Sequence, residues 1–418
     1  MSAKRLLVSI DWQGMSHPVG VGRLDVHETR GHEHYRFTYD RTWVSRSGSF
    51  AVDPELDLVA DMPFVSDRLW GCFQDISPDR WGRLVQTRAA SIHLNDSDYM
   101  MGVSDHMRMG AMRLSQVDAP DTYLATHTDI PKLVHLRILE TAVQHMESGK
   151  ETPADLAILG QGGSSLGGAR PKASVEDNGH LWIAKFASQT DTERTPLWEA
   201  VMLDRARQAG IRTPDFRVLH ADGSRPILLV ARFDRLGGAR IPFMSAMTLL
   251  GRNEDTKEGA SYLEIVDAIS RESSQAGMDR LELWRRMTFN AMAGNIDDHL
   301  RNHGFLRDRQ GWRLAPAYDL NPTLQSFERR THDLAFDNNA RPSLDICIGL
   351  AEYFGLTSRE TDPVLNDLGK SLSNWQEAAR RYGLGGEEIR RLAPSFEHED
   401  SRRLITTSEK KHPRGWCR

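Results

Sequence analysis

The chain has 418 residues, of which 39% are hydrophobic and 27% charged. That composition excludes a collagen, a coiled coil or a mostly disordered chain, and the length predicts two or three domains at roughly 150 residues each. Lys and Arg number 53 against 58 Asp and Glu, a net charge of −5. That balance gives no support to a stand-alone nucleic-acid binder, which needs a basic surface to release counterions. The longest apolar runs, such as Leu6–Ile10 and Ile227–Ala231, fall far short of the ~18 residues of a membrane span. The N-terminal run stops at Asp11, too soon for a signal peptide. Cys72, Cys347 and Cys417 lie far apart. So sparse a set fits a reducing compartment and excludes a disulfide framework or a CxxC zinc site. A cytoplasmic location without membrane contact is expected.

In chain order, Leu6–Trp12, Val19–His27 and Tyr35–Tyr39 predict strands. Asp75–Arg88 predicts a helix started by Ser77-Pro78. Asp118–Pro131, with two prolines and several Asp and Thr residues, is the expected linker, and Pro131–Ser148 a helix. The glycine-rich stretch 160–172 follows. Lys172–Asp177 and His180–Ala187 predict a hairpin around Asn178-Gly179, because a type I′ turn needs positive φ at both central residues. A helix is predicted from Thr195 and Pro196 to Gly210. A strand lies within Arg225–Arg235, and mostly helix follows to about residue 395, interrupted by β structure at Gly304–Leu320. Glu399–Arg418 is a polar tail, expected to be loosely held.

Four features carry chemistry. The glycine-rich loop is not a Walker A loop, because Ala169-Arg170 follow Gly168 where Lys and Ser or Thr belong. Nor does it fit a Rossmann loop, which leads into a helix. A glycine loop opening a hairpin, with Gly167 and Gly168 at its end, is how protein kinases cover nucleotide phosphates. Lys185 stands alone in the apolar strand LWIAKF, where kinases keep a lysine that holds phosphates and pairs with a helix glutamate; Glu199 in the next helix could be that partner. Asp297 and Asn302 have the D-x4-N spacing of a kinase catalytic loop, one as base and one as metal ligand. Asp319 follows as a second metal-binding carboxylate. Each feature alone also has a structural reading: a surface loop, a solvent-facing lysine, a turn aspartate. His299 and His303 are spaced for zinc on a helix, but Gly304 and the polar run argue against a helix there.

The residues in this order resemble the HipA family of serine/threonine kinases, the toxin halves of bacterial toxin–antitoxin modules. The resemblance covers nearly the whole chain. VGVGRL, FTYD and FQDISPDRWGRLV look like the family's N-terminal domain. SSLGGARPKA, WIAKF, LLVARFDR, NIDDHLRN and YDL look like its kinase core. It implies an α+β, protein-kinase-like bilobal fold. The implied parts are a β-rich N-terminal domain (1–117), a linker and helix (118–148), a small lobe (149–238), a helical large lobe (239–398) and the tail (399–418).

The resemblance further implies ATP and Mg²⁺ as cofactors. Asp297 would be the base, with Asn302 and Asp319 on Mg²⁺. Lys185 would hold the phosphates, and His299 would contact the nucleotide. The backbone of Ala231 and Phe233 would meet adenine. Ser165, or Ser164 beside it, would be the loop serine whose phosphorylation inactivates the kinase. The implied partners are a HipB-like helix-turn-helix antitoxin and a protein substrate such as an aminoacyl-tRNA synthetase, with DNA reached only through the antitoxin. Phe243 stands where the family often has glutamine, and Trp198 where it often has asparagine. Rival readings are an antitoxin-binding scaffold and co-repressor with weak or no kinase activity, a small-molecule kinase, and a zinc hydrolase using His299 and His303.

Overall fold

A computed structural model describes residues 3–411 other than 91, 126–129, 162–167, 169, 190, 192, 221–224, 254–258, 326–333 and 337–340. Ser164, Ser165, Gly167 and Cys417 lie outside the described residues. The fold is α+β, with strands concentrated in the N-terminal part and helices in the C-terminal part, as the sequence predicts. The chain divides into two compact units: Met1–Thr190 with Leu229–Glu254 and Leu306–Gln310, and Asp191–Leu228 with Asp255–Phe305 and Gly311–Arg418.

The first unit begins with β1 (Ala3–Ile10), β2 (Val19–Thr29) and β3 (His32–Tyr39), followed by the short helix α1 (Arg41–Val44) and β4 (Pro63–Ser66). After α2 (Gly71–Asp75), α3 (Arg80–Ala89) and α4 (Asp96–Gly102) come β5 (Met112–Gln116) and β6 (Ala119–Tyr123). The six strands form one sheet in the order β4-β3-β2-β1-β5-β6. Alternation sets its inner face: Leu6, Val8 and Ile10 of β1 and Tyr35, Phe37 and Tyr39 of β3 are buried, with the residues between them less so. The expected linker is in part β6, a correction. Pro120 is tolerated there because β6 is an edge strand and need not donate on its outer side. The helix expected over Asp75–Arg88 begins later, as α3, and is capped by Asp79, not started at Ser77-Pro78; Asp75 instead ends α2.

Next come α5 (Leu136–Glu147) and α6 (Pro153–Gln161), which pack on each other, with α6 also on α3. Gly160, expected in the glycine-rich loop, belongs to the last turn of α6. Then β7 (Lys172–Asp177) and β8 (His180–Lys185) form the expected hairpin, with Asn178 at φ 51° and Gly179 at φ 78°. The strand Ile227–Ala231 lies beside β8.

The second unit is mainly helical. α7 (Thr195–Gln208) starts with Pro196 in its first turn and is followed by Gly210 at φ 78°. Its Trp198 is buried among Trp375 and Phe396, whose own rings stack 4.5 Å apart. Trp198 is therefore a packing residue of this unit. The long helix Ala276–Ala293 buries Leu283, Trp284, Met287 and Ala291. The tail expected to be loose is, over Glu399–Lys411, a helix. Leu404 is buried, and the Ser401 hydroxyl donates to the Met292 carbonyl at 2.6 Å. Gly369 permits the close approach: a Cβ there would lie 2.9 Å from the Leu404 carbonyl oxygen. No helix among the described residues is long and apolar enough to cross a membrane.

Candidate active site

In the second unit the helix Ala276–Ala293 ends at Gly294, which takes the left-handed conformation (φ 71°) that stops a helix. The Asn295 N–H still donates to the Asn290 carbonyl at 3.0 Å. From there Asn295–His299 is irregular, a single 3-10 turn spans Leu300–Asn302, and a strand begins at Gly304. This agrees with the expectation that the stretch is no regular helix.

Two side chains fix this loop to itself and to its neighbours. Buried Asn295 donates from Nδ2 to Asn290 Oδ1 at 3.2 Å and accepts the Asn321 N–H on Oδ1 at 3.2 Å. Asn302 donates from Nδ2 to the Asp297 carbonyl at 2.8 Å, closing the D-x4-N span. Within that closed span the Asp297 side chain is exposed and Asn302 is buried.

The segment carrying Asp319 runs alongside. Tyr318 Oη donates to the Arg301 carbonyl at 2.6 Å, and the Thr323 N–H to the Gly294 carbonyl at 2.9 Å. Asp319 has φ 58°. Aspartate enters this left-handed region at some cost, and such strain collects at functional positions. Asn321 Nδ2 donates to Asp319 Oδ1 at 3.5 Å.

The sequence reading passed over Asp298, which is the most heavily bonded residue of the loop. Its carboxylate is 2% exposed. It accepts from Tyr262 Oη, from Asn290 Nδ2 at 2.9 Å and from His303 Nε2 at 3.0 Å. Its carbonyl accepts the Leu334 N–H at 3.1 Å. Burial acts to raise the Asp298 carboxyl, but the charge and hydrogen bond of His303, with the Tyr262 hydroxyl, outweigh it and hold the group below its ordinary value. The Tyr262 phenol is pushed well up by burial and by Asp298. His303 is thus a partner of Asp298, and no group of three metal-ligating side chains occurs among the described residues. The Nδ1 atoms of His299 and His303 are buried without a hydrogen-bond partner among the described residues.

Glu199 is buried in α7, in the second unit. In the first unit, Lys185 ends β8, half-buried, directly opposite Lys172 of β7. Gly168 sits at φ 103°. Ala231 and Phe233 are half-buried, and alternate residues behave differently. Arg232 and Asp234 are buried and paired at 2.6 Å, and Asp234 also meets Arg235 and accepts the Gly110 N–H at 2.7 Å. Burial acts to raise the Asp234 carboxyl, but the charges of Arg232 and Arg235 hold it well below the ordinary range. The Phe243 ring lies 6.2 Å from that of Phe233.

Residues 164–394 match the model of the HipA-like C-terminal domain. Among curated proteins, the chain is similar to "Putative kinase Y4mE" of Sinorhizobium fredii, 25% identical over 69% of this chain and 72% of that protein. It also resembles Y4dM of the same organism, similarly named, at 30% identity over 37% of this chain and 40% of that one. Among solved structures, its fold is similar to a chain in the toxin–antitoxin complex of HipA, HipB and operator DNA from Shewanella oneidensis MR-1. There the TM-score is 0.69 at 16% identity, covering 98% of this chain and 97% of that chain. With more than half of its length matched by that domain, the chain belongs to the HipA-like C-terminal domain family.

Proposed function

We propose that the chain is an ATP-dependent serine/threonine protein kinase that acts as the toxin of a toxin–antitoxin module. The observation that carries this reading is the loop Asn295–His303. It exposes Asp297, ties Asn302 to the Asp297 carbonyl and is bonded to the segment of the strained Asp319.

Asp297 accepts the proton of the acceptor hydroxyl, and its exposure gives an incoming side chain access. Asn302 and Asp319 suit Mg²⁺, because a hard cation takes oxygen ligands. The Asn302 amide nitrogen is already engaged with Asp297, which commits its Oδ1 end to other partners. Mg²⁺, when bound there, neutralises charge on the phosphates. Lys185 is assigned to the phosphates and Gly168 to the loop that covers them. Ala231 and Phe233 meet adenine. The buried, unpartnered Nδ1 of His299 supports a polar contact with the nucleotide.

Phosphorylation of Ser165 or Ser164 would add about −1.5 to −2 charge to a loop that must cradle phosphates, and so switch the enzyme off. The partner is a HipB-like helix-turn-helix antitoxin, which carries the DNA contact, and the substrate is a protein such as an aminoacyl-tRNA synthetase. Likeness over almost the whole length of a HipA chain solved with HipB and DNA supports that partner. It equally supports the second reading, a scaffold and co-repressor with little kinase activity.

Thermal melting with ATP, with and without Mg²⁺, tests the proposal. Ligand at about 100 times its Kd adds about 2.7 kcal/mol, which is a rise of several degrees. The rise should need Mg²⁺ and should shrink in Asp319→Asn. A melting temperature unmoved by Mg·ATP overturns the kinase reading and leaves the scaffold.

A further inference from the structure

The segment FQDISPDRWGRLV is distinctive in the sequence, yet nothing in the chemistry above uses it. We propose that its Asp79 is a positioning residue for the nucleotide: its carboxylate holds Lys172, and Lys172 holds the foot of the glycine-rich loop. The inference rests on the kinase reading above.

Asp79 has two bonds with different requirements. As N-cap of α3, it accepts the Gly82 N–H on Oδ1 at 2.7 Å. Its Oδ2 meets Lys172 Nζ at 2.8 Å, and both side chains are almost completely buried. The cap needs only an oxygen acceptor, which Asn or Ser would also supply. The ammonium of Lys172, removed from water, needs a negative charge.

Lys172 Nζ also donates to the Gly168 carbonyl at 3.3 Å, where the backbone, at φ 103°, has a conformation open to glycine. Lys172 therefore links the N-terminal region to the end of the loop. The register adds a second reason for a carboxylate here. Lys172 and Lys185 are direct partners across the hairpin. Opposed residues of an antiparallel pair project from the same face, and like charges there repel. Asp79 neutralises the ammonium of Lys172, the direct neighbour of Lys185, which the proposed function assigns to the phosphates.

The test uses the full chain and its variants Asp79→Asn, Lys172→Met and the two combined. Each is melted, and its Kd for Mg·ATP is measured by displacement of a fluorescent ATP analogue. Asp79→Asn keeps the helix cap and removes the charge. It should melt earlier and bind Mg·ATP about tenfold more weakly, the effect of one lost charge-assisted hydrogen bond. The combined variant removes both buried charges, so stability returns toward that of the parent. Its affinity should stay about tenfold weaker, because Gly168 has lost its anchor. A combined variant with parental stability and a Kd within about twofold of the parent overturns the inference: the pair then serves the fold alone. A parent chain that does not bind Mg·ATP overturns the kinase reading, and the inference with it.

Discussion

Replacing Asp298 with alanine probes the anchor of the loop Asn295–His303. The substitution strips a fully buried acceptor from Tyr262 Oη, Asn290 Nδ2 and His303 Nε2, donors from three separate parts of the second unit. Each buried donor left unsatisfied costs about 1–3 kcal/mol, and breaking a buried charged pair about 3–5 kcal/mol. The three donors sit together and relax together, so the costs do not add, and about 4 kcal/mol is expected. For a unit of this size that is a fall of roughly 8–16 °C in melting temperature, at about 2–4 °C per kcal/mol. Asp298→Asn keeps the shape and one acceptor, and should lose less than half as much. The loop itself should suffer more than the fold. With the Asp298 carboxylate gone, the tie to His303 that flanks the Asp297–Asn302 span is lost, and a misplacement near 1 Å costs on the order of 100-fold in rate. Calorimetry and a phosphotransfer assay run well below the melting transition read the two effects. An Asp298→Ala chain that melts within about 1 °C of the parent and keeps its rate refutes the role of this network.

Further consequences follow from other parts of the molecule. Asp319 at φ 58° is a position that Asn tolerates and a β-branched residue does not. Asp319→Val should therefore cost about 1–3 kcal/mol while Asp319→Asn melts near the parent; equal melting of the two contradicts the strain. Burial raises the Asp53 carboxyl to about 6, against hydrogen bonds from the Glu55 and Cys72 N–H groups. Between about pH 4 and pH 6 the folded chain then keeps a proton that the unfolded chain has released, so this group's contribution to stability falls as pH rises through that window, by about 3 kcal/mol in all. Asp53→Asn should flatten that fall in urea titrations, and an unchanged slope would sink the idea. Gly369→Ala drives a Cβ against the Leu404 carbonyl and Ser408, so it should destabilise by about 1–3 kcal/mol; a neutral melt would mean that the helix Glu399–Lys411 does not pack there.

What the sequence made legible was local. The Asn178-Gly179 turn announces itself because both positive φ values fall on the two residues that best accept them. The D-x4-N spacing of Asp297 and Asn302 is legible because both residues lie within one short loop; the bond from Asn302 Nδ2 to the Asp297 carbonyl is what the structure adds. The rest depended on residues far apart in the chain. Asp297 and Asp298 are chemically identical, yet one is exposed and the other buried, and the difference is made by Tyr262 and Asn290. The helix Glu399–Lys411 carries few apolar residues, and its burial depends on Gly369 in another helix. Pro120 disguised β6, because a proline marks a strand only when that strand is known to be an edge. Asp79 reads as a helix cap, and its second bond becomes visible only once β7 brings Lys172 to it.

Asp297 is proposed as the base of a phosphotransferase. Intact mass of the purified chain after incubation with Mg·ATP, beside Asp297→Asn, tests it most directly. Asp297 is exposed, so the variant should fold and melt like the parent, within about 0.5 kcal/mol. One added phosphate is expected in the parent, on Ser164 or Ser165, and none in the variant. A phosphate gained equally by both chains would contradict the assignment of the base, and no gain in a parent that binds Mg·ATP would contradict self-phosphorylation of the loop.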